Sequence, residues 1–124
     1  MKYAEDYPVG TVYNLGSHKI TGAETMAFAR VYDPQPYHLS EEGGRASAFG
    51  GLIASGWNTA SVWMMLYVTV LLADSSVEGS PGVDDLRFLR PVRPGDELFG
   101  EAEIIGTVPS LAHREVLTVR NKGC

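Results

Sequence analysis

Asp33 and His38 stand five positions apart in the segment Asp33-Pro34-Gln35-Pro36-Tyr37-His38. A carboxylate and an imidazole held close together can position a water molecule and move its proton, and imidazole ordinarily changes protonation between about pH 5 and 8. Pro34 and Pro36 fix φ on either side of Gln35, so a stiffened turn presents the acid and the base with little entropy left to lose. Further on, Phe49-Gly50-Gly51-Leu52-Ile53-Ala54-Ser55-Gly56 leads through a glycine-rich turn into a very apolar stretch. A backbone N–H at the start of a helix, with the helix dipole behind it, can receive a developing oxyanion, and Gly56 is placed for that role. Glycine at that point also serves turn geometry alone, and the two uses are compatible.

Local patterns define the elements that must carry these groups. Thr21-Gly22-Ala23-Glu24 has the spacing of a capping box, so a helix is predicted to start there. Ala23, Met26, Ala27, Arg30 and Val31 fall on or near one face, and Pro34 requires the helix to stop by Asp33. The acid therefore belongs at a helix end. Ser40-Glu41-Glu42 reads as the cap and first turn of a second, short helix that Gly43 and Gly44 weaken. From Trp57 to Ala73 there is no charged residue, which predicts a helix over 57–72. A bilayer span needs roughly 20 apolar residues, and this run is shorter, with Asn58, Thr59 and Ser61 at its front. A buried central helix is the better reading, and being apolar nearly all round it requires something to wrap it.

The wrapping elements follow a period of two. Residues 11–18 carry a modest strand pattern, and in 83–92 Leu86 and Phe88 alternate with Arg87. A loop rich in Asp, Ser, Gly and Pro over 74–82 precedes the second of these, and Pro94-Gly95-Asp96 makes a turn after it. From 97 to 105, Glu97, Phe99, Glu101 and Glu103 face one way and Leu98, Gly100, Ala102 and Ile104 the other, with small residues suited to contact with a helix. Another strand is predicted at 113–120 after a Pro109-Ser110 turn, and Asn121-Lys122-Gly123 reads as a hairpin turn. The fold class is α+β, in one domain over 1–124.

Composition narrows the partners. With 124 residues and a hydrophobic fraction of 44% the chain can build a real but small core, which an oligomer interface would supplement. A net charge of -5, with ten scattered Lys and Arg residues, provides no footprint for a nucleic-acid backbone. The one cysteine, Cys124, allows neither an intrachain disulfide nor a cysteine metal cluster. The N-terminal MKYAEDYPVG has no apolar core of a secretory signal, so the expected location is cytoplasmic and no membrane partner is implied.

The stretch ITGAETMAFARVYDPQPYHLSEEGGRASAFGGLIASGW resembles the hydratase signature of the MaoC-like dehydratases, which include R-specific enoyl-CoA hydratases and have the hot-dog fold. Asp33, Pro36 and His38 match that pattern, as do Gly56 at the turn and Ser61 at the position of a frequent helix serine. FLRPVRPGDEL at 88–98 resembles the strand and turn that follow the family's helix, and the similarity spans about residues 11–121. Gln35 stands where the family has asparagine, and no residues remain after Cys124 for the strand that usually follows the Asn121-Lys122-Gly123 turn.

The resemblance implies a curved antiparallel sheet around the 57–72 helix, in a homodimer or higher homo-oligomer. It implies a hydro-lyase of fatty acid metabolism acting on an acyl thioester, acyl-CoA or acyl carrier protein, without metal or other cofactor. His38 would activate the water, and Asp33 would orient it and share in proton delivery, the proton donor being left open. Gly56, with Ser55, Gln35 and Ser61, would form the oxyanion and substrate side. Ser61 is equally explained by a bond to its own helix backbone. Trp57, Trp63, Met64 and Met65 belong to the core or an acyl pocket, and His18 and His113 are structural or solvent-facing. A hot-dog thioesterase and a non-catalytic acyl-CoA-binding partner subunit are the alternatives. The first commonly needs a carboxylate on or beside the central helix, which has none before Asp74.

Overall fold

Thr21 opens the first helix by the reciprocal bonds its spacing anticipates. Its hydroxyl accepts from the Glu24 N–H at 3.1 Å, and the Glu24 carboxylate accepts from the Thr21 N–H at 2.7 Å. Helix α1 then runs over Gly22–Tyr32 with Asp33 as its C-cap, the Asp33 N–H donating to the Ala29 carbonyl at 3.0 Å. The same Glu24 carboxylate lies 3.0 Å from His18 Nε2, tying α1 to strand β1, Val12–Lys19. His18 is thus structural, as expected of it.

The computed structural model describes residues 2–75, 82–108 and 111–121. Outside these lie most of the 74–82 loop, the Pro109-Ser110 turn, the end of the Asn121-Lys122-Gly123 turn and Cys124, and the side chain of His113 is likewise not described. After α1 come α2 over Pro36–Leu39, α3 over Glu41–Arg45 and the central α4 over Gly56–Tyr67. A π-helical turn, Val68–Leu72, continues α4 and brings the whole rod to the predicted extent. Strands β2, Glu97–Val108, and β3, Leu111–Asn121, complete an antiparallel sheet of order β1-β2-β3. None of the described helices is long and apolar enough to cross a membrane.

The period of two in β2 sets the contact between sheet and helix. Leu98, Ala102 and Ile104 are completely buried on one face, packed with Leu15, Ile20, Val62, Trp63 and Leu66. A Cβ on Gly100 would come within 3.3 Å of Leu66 Cδ1 and 3.1 Å of Leu15 Cβ, so the missing side chain lets helix and sheet close up. Trp63 Nε1–H donates to the Glu101 carbonyl at 3.1 Å, and its ring stacks on Tyr67 at 4.5 Å. At the far end of the rod the Tyr7 hydroxyl donates to the Leu71 carbonyl at 2.9 Å, and burial pushes that phenol's pKa up.

The helix packs against the antiparallel sheet as expected, and its large side chains divide: Trp63 is core, whereas Trp57 is 59% exposed and Met64, Met65, Val68 and Val70 are also exposed. One expectation is corrected. Residues 83–92 form no strand. Alternation reports which side of a segment is apolar, but a ladder also needs a neighbouring edge, and Pro91 withdraws one donor. Among the described residues this segment's backbone is held at its end, where the Val92 carbonyl accepts from the Ala54 N–H at 2.8 Å. The Pro94-Gly95-Asp96 turn does form, with the Asp96 carbonyl accepting from the Ile20 N–H at 2.9 Å just ahead of α1.

Because the capping box both starts α1 and places Asp33 at its other end, Thr21→Ala should lower unfolding stability by about 1 kcal/mol in urea melts. An unchanged midpoint and slope would show that the box contributes nothing.

Candidate active site

The turn that carries His38 is built from the constraints seen in the sequence. Gln35 is extended at φ -76°, ψ 141°, as the residue before a proline must be, and Pro36 supplies the first position of α2. The His38 N–H donates to the Gln35 carbonyl at 2.9 Å, and the side chain is buried, 5% exposed. Two bonds then lock it to the chain entering α4. His38 Nδ1 lies 2.7 Å from the Ile53 carbonyl, and the Ile53 N–H donates to the Tyr37 carbonyl at 3.1 Å. The Tyr37 ring meets the imidazole edge-on at 4.5 Å.

The Ile53 bond determines the tautomer. A carbonyl oxygen only accepts, so Nδ1 carries a proton and, in the neutral ring, Nε2 carries a lone pair. Nε2 faces Asp33 Oδ2 at 3.3 Å. Two acceptors at that separation hold together through a proton on the ring or through a water that donates to them. An imidazole lone pair and a carboxylate set this way can together hold one water and accept a proton from it, and Asp33 is partly accessible at 28% side-chain exposure.

A cavity of about 270 Å³ opens beside His38, with Gly56 and Thr59 of α4 on one wall and Ile53, Phe88 and Arg90 on others. Gly56 is the first residue of α4 and its φ is not in the left-handed region, so turn geometry does not require glycine there. Close approach does. A Cβ at this position would lie 2.5 Å from Cε2 and 2.6 Å from Cγ of Phe88. At the helix start Ser55 Oγ accepts from the Trp57 N–H at 3.2 Å and the Ser55 carbonyl accepts from the Asn58 N–H at 2.9 Å. Among the described residues the Gly56 N–H has no acceptor, which leaves a donor at the positive end of the rod.

Upstream, α3 is short but tightly placed, because a side chain at Gly43 would meet the Pro36 carbonyl and one at Gly44 the Gly51 carbonyl. The paired glycines thus let α3 press against both ends of the site loop. Three of the residues expected on the substrate side sit elsewhere. Ser55 is fully buried as the cap of α4, and the exposed Ser61 donates to the Trp57 carbonyl at 2.8 Å. Gln35 is exposed and its side chain makes no capping bond. Neither these three nor Asp33 line the cavity, so His38 and Gly56 are the expected site residues that do.

Sequence reasoning missed the Ile53 carbonyl, for which no side chain could signal, and Phe88, which read only as part of a strand. It also passed over Asn58, whose buried Nδ2 finds no partner among the described residues. No group of three His, Cys, Asp or Glu side chains suited to a metal ion occurs among the described residues.

Comparison with known proteins bears on the family and the fold. The family model described as "MaoC like domain" matches residues 6–122. Protein YdeM of Bacillus subtilis, itself uncharacterised, is 30% identical over 115 residues, covering 93% of this chain and 82% of its own. The crystal structure of a MaoC-like dehydratase from Rhodospirillum rubrum is similar with 36% identity and a TM-score of 0.71, over 98% of this chain and 84% of that one. The R-hydratase PhaJ1 from Pseudomonas aeruginosa is 26% identical with a TM-score of 0.78, over 98% of this chain and 77% of its own. A family match along almost the whole chain, and a helix packed on an antiparallel sheet as in these structures, show that the chain belongs to the MaoC-like dehydratase family on the hot-dog fold.

Proposed function

We propose that the protein is a hydro-lyase that adds water to the double bond of an α,β-unsaturated acyl thioester, or removes it from the 3-hydroxy product. Coenzyme A is the proposed carrier and acyl carrier protein the alternative. The observation that carries this reading is His38, with Nδ1 tied to the Ile53 carbonyl at 2.7 Å and Nε2 turned to Asp33 at 3.3 Å beside a cavity. Likeness to a protein titled an R-hydratase supports the same chemistry.

In the proposed reaction a water bridges His38 Nε2 and Asp33 Oδ2. Nε2 takes one of its protons as the oxygen bonds to the β-carbon, and the π-electron pair moves through the α-carbon onto the thioester oxygen. The Gly56 N–H, at the positive end of α4, receives that negative charge. Carbonyl re-formation then returns the electron pair to the α-carbon, which takes a proton from the His38 and Asp33 pair, leaving the pair in its starting protonation state. One water is consumed and both of its hydrogens are accounted for. A hot-dog thioesterase commonly uses a carboxylate on or beside the central helix, and neither α4 nor its π-helical end has one, which ranks that reading lower.

The exposed apolar residues Trp57, Met64, Met65 and Val68, which helical spacing puts on or near one side of the rod, support self-association, since an exposed apolar face in water marks an interaction surface.

Purified protein should remove the enoyl absorbance of crotonyl-CoA without releasing free thiol. His38→Ala and Asp33→Asn should each lower kcat/KM by about 10²–10⁴-fold with unchanged circular dichroism. Saturable acyl-CoA binding with no turnover would sink the hydro-lyase reading in favour of a binding subunit, and thiol release would favour the thioesterase. Gly56→Ala should displace Phe88 and reduce turnover; wild-type rates would mean the glycine is incidental. Sedimentation equilibrium should give a dimer or larger, weakened by Met65→Glu, and a monomer throughout would refute self-association.

A further inference from the structure

One wall of the cavity takes no part in the proposed proton transfers. Phe88, from the segment that forms no strand, lays its ring over Gly56 so closely that a Cβ there would force the ring to shift. On another side the Trp57 ring meets it edge-on, with centroids 6.0 Å apart and planes at 73°. The segment's end is fastened by the Ala54 N–H to the Val92 carbonyl at 2.8 Å. Phe88 is therefore held between two residues of the α4 N-terminus and an anchored backbone, although it is half exposed. The cavity it lines measures about 270 Å³, just below the about 300–1,000 Å³ of ligand sites.

We propose that Phe88 sets the acyl chain length by walling the cavity beside His38 and Gly56, which restricts the site to short acyl groups. This rests on the acyl-thioester reading above. A thioester oxygen at the Gly56 N–H and a β-carbon at His38 place the remainder of the acyl chain among the cavity's apolar walls. Ile53, Phe88, Leu89 and Val92 are among them, and they suit hydrocarbon better than the polar carrier arm. Among the described lining residues Arg90 is the one with a guanidinium or ammonium group, where an anionic carrier group would be better accommodated. Removing the Phe88 ring would lengthen the space available to hydrocarbon, and each further buried methylene would then strengthen binding about fourfold.

The test is calorimetric binding of free CoA and of butyryl-, hexanoyl-, octanoyl- and decanoyl-CoA to wild type, Phe88→Ala and Phe88→Leu, with hydration rates on the matching enoyl-CoAs. Wild-type affinity should stop rising beyond hexanoyl, whereas Phe88→Ala should continue to gain about fourfold per methylene. Phe88→Leu should lie between, and free CoA should bind all three alike. If Phe88→Ala does not fold by circular dichroism, Phe88→Leu against wild type decides. Parallel length profiles, wild-type preference for decanoyl, or an equal change for free CoA would overturn the proposal. A shifted binding profile without hydration keeps Phe88 in this role and removes the hydro-lyase reading. Hydration with parallel profiles does the reverse, and no acyl-CoA binding removes both.

Discussion

The bond from His38 Nδ1 to the Ile53 carbonyl is the constraint on which the site depends. It spans fifteen residues and sets the tautomer, so that Nε2 carries the lone pair on the side of Asp33. It also fastens α2 to the chain entering α4, with the Ile53 N–H returning a bond to Tyr37. The next residue, Ala54, reaches the Val92 carbonyl. One short extended stretch therefore aligns the imidazole, the helix N-terminus and the wall that carries Phe88. Such a buried bond is rigid because breaking it would leave a donor and an acceptor unsatisfied away from water.

Close backbone approach is the second theme. Gly44 permits α3 to rest on Gly51, and Gly56 permits Phe88 to rest on the start of α4. Neither glycine has a positive φ, so both are explained by contact rather than by conformation. The fold supports these contacts from one side only. Buried Leu98, Ala102 and Ile104 hold Val62, Trp63 and Leu66 of the rod, while its opposite apolar side faces outward.

The sequence by itself determined whatever depends on near neighbours. The Thr21 and Glu24 capping box, the stop at Asp33, the Pro36 start of α2, the turn at Gly95 and the buried face of β2 follow from spacing, φ restriction and period. Asp33 and His38 are legible as a pair because two prolines leave the intervening chain few conformations.

Only the tertiary structure decided the remainder, because those features depend on atoms distant in sequence. A backbone carbonyl chooses the tautomer of His38, and no residue type announces a carbonyl. Ser55 and Ser61 have the chemistry to meet a ligand, yet nearby backbone groups claim their hydroxyls. Residues 83–92 have the alternation of a strand but no ladder, since pairing requires a neighbouring edge as well as a pattern. Gly56 could be placed at the helix start from sequence. That Phe88 is what needs the space above it became visible only when residues thirty-two positions apart were brought into contact.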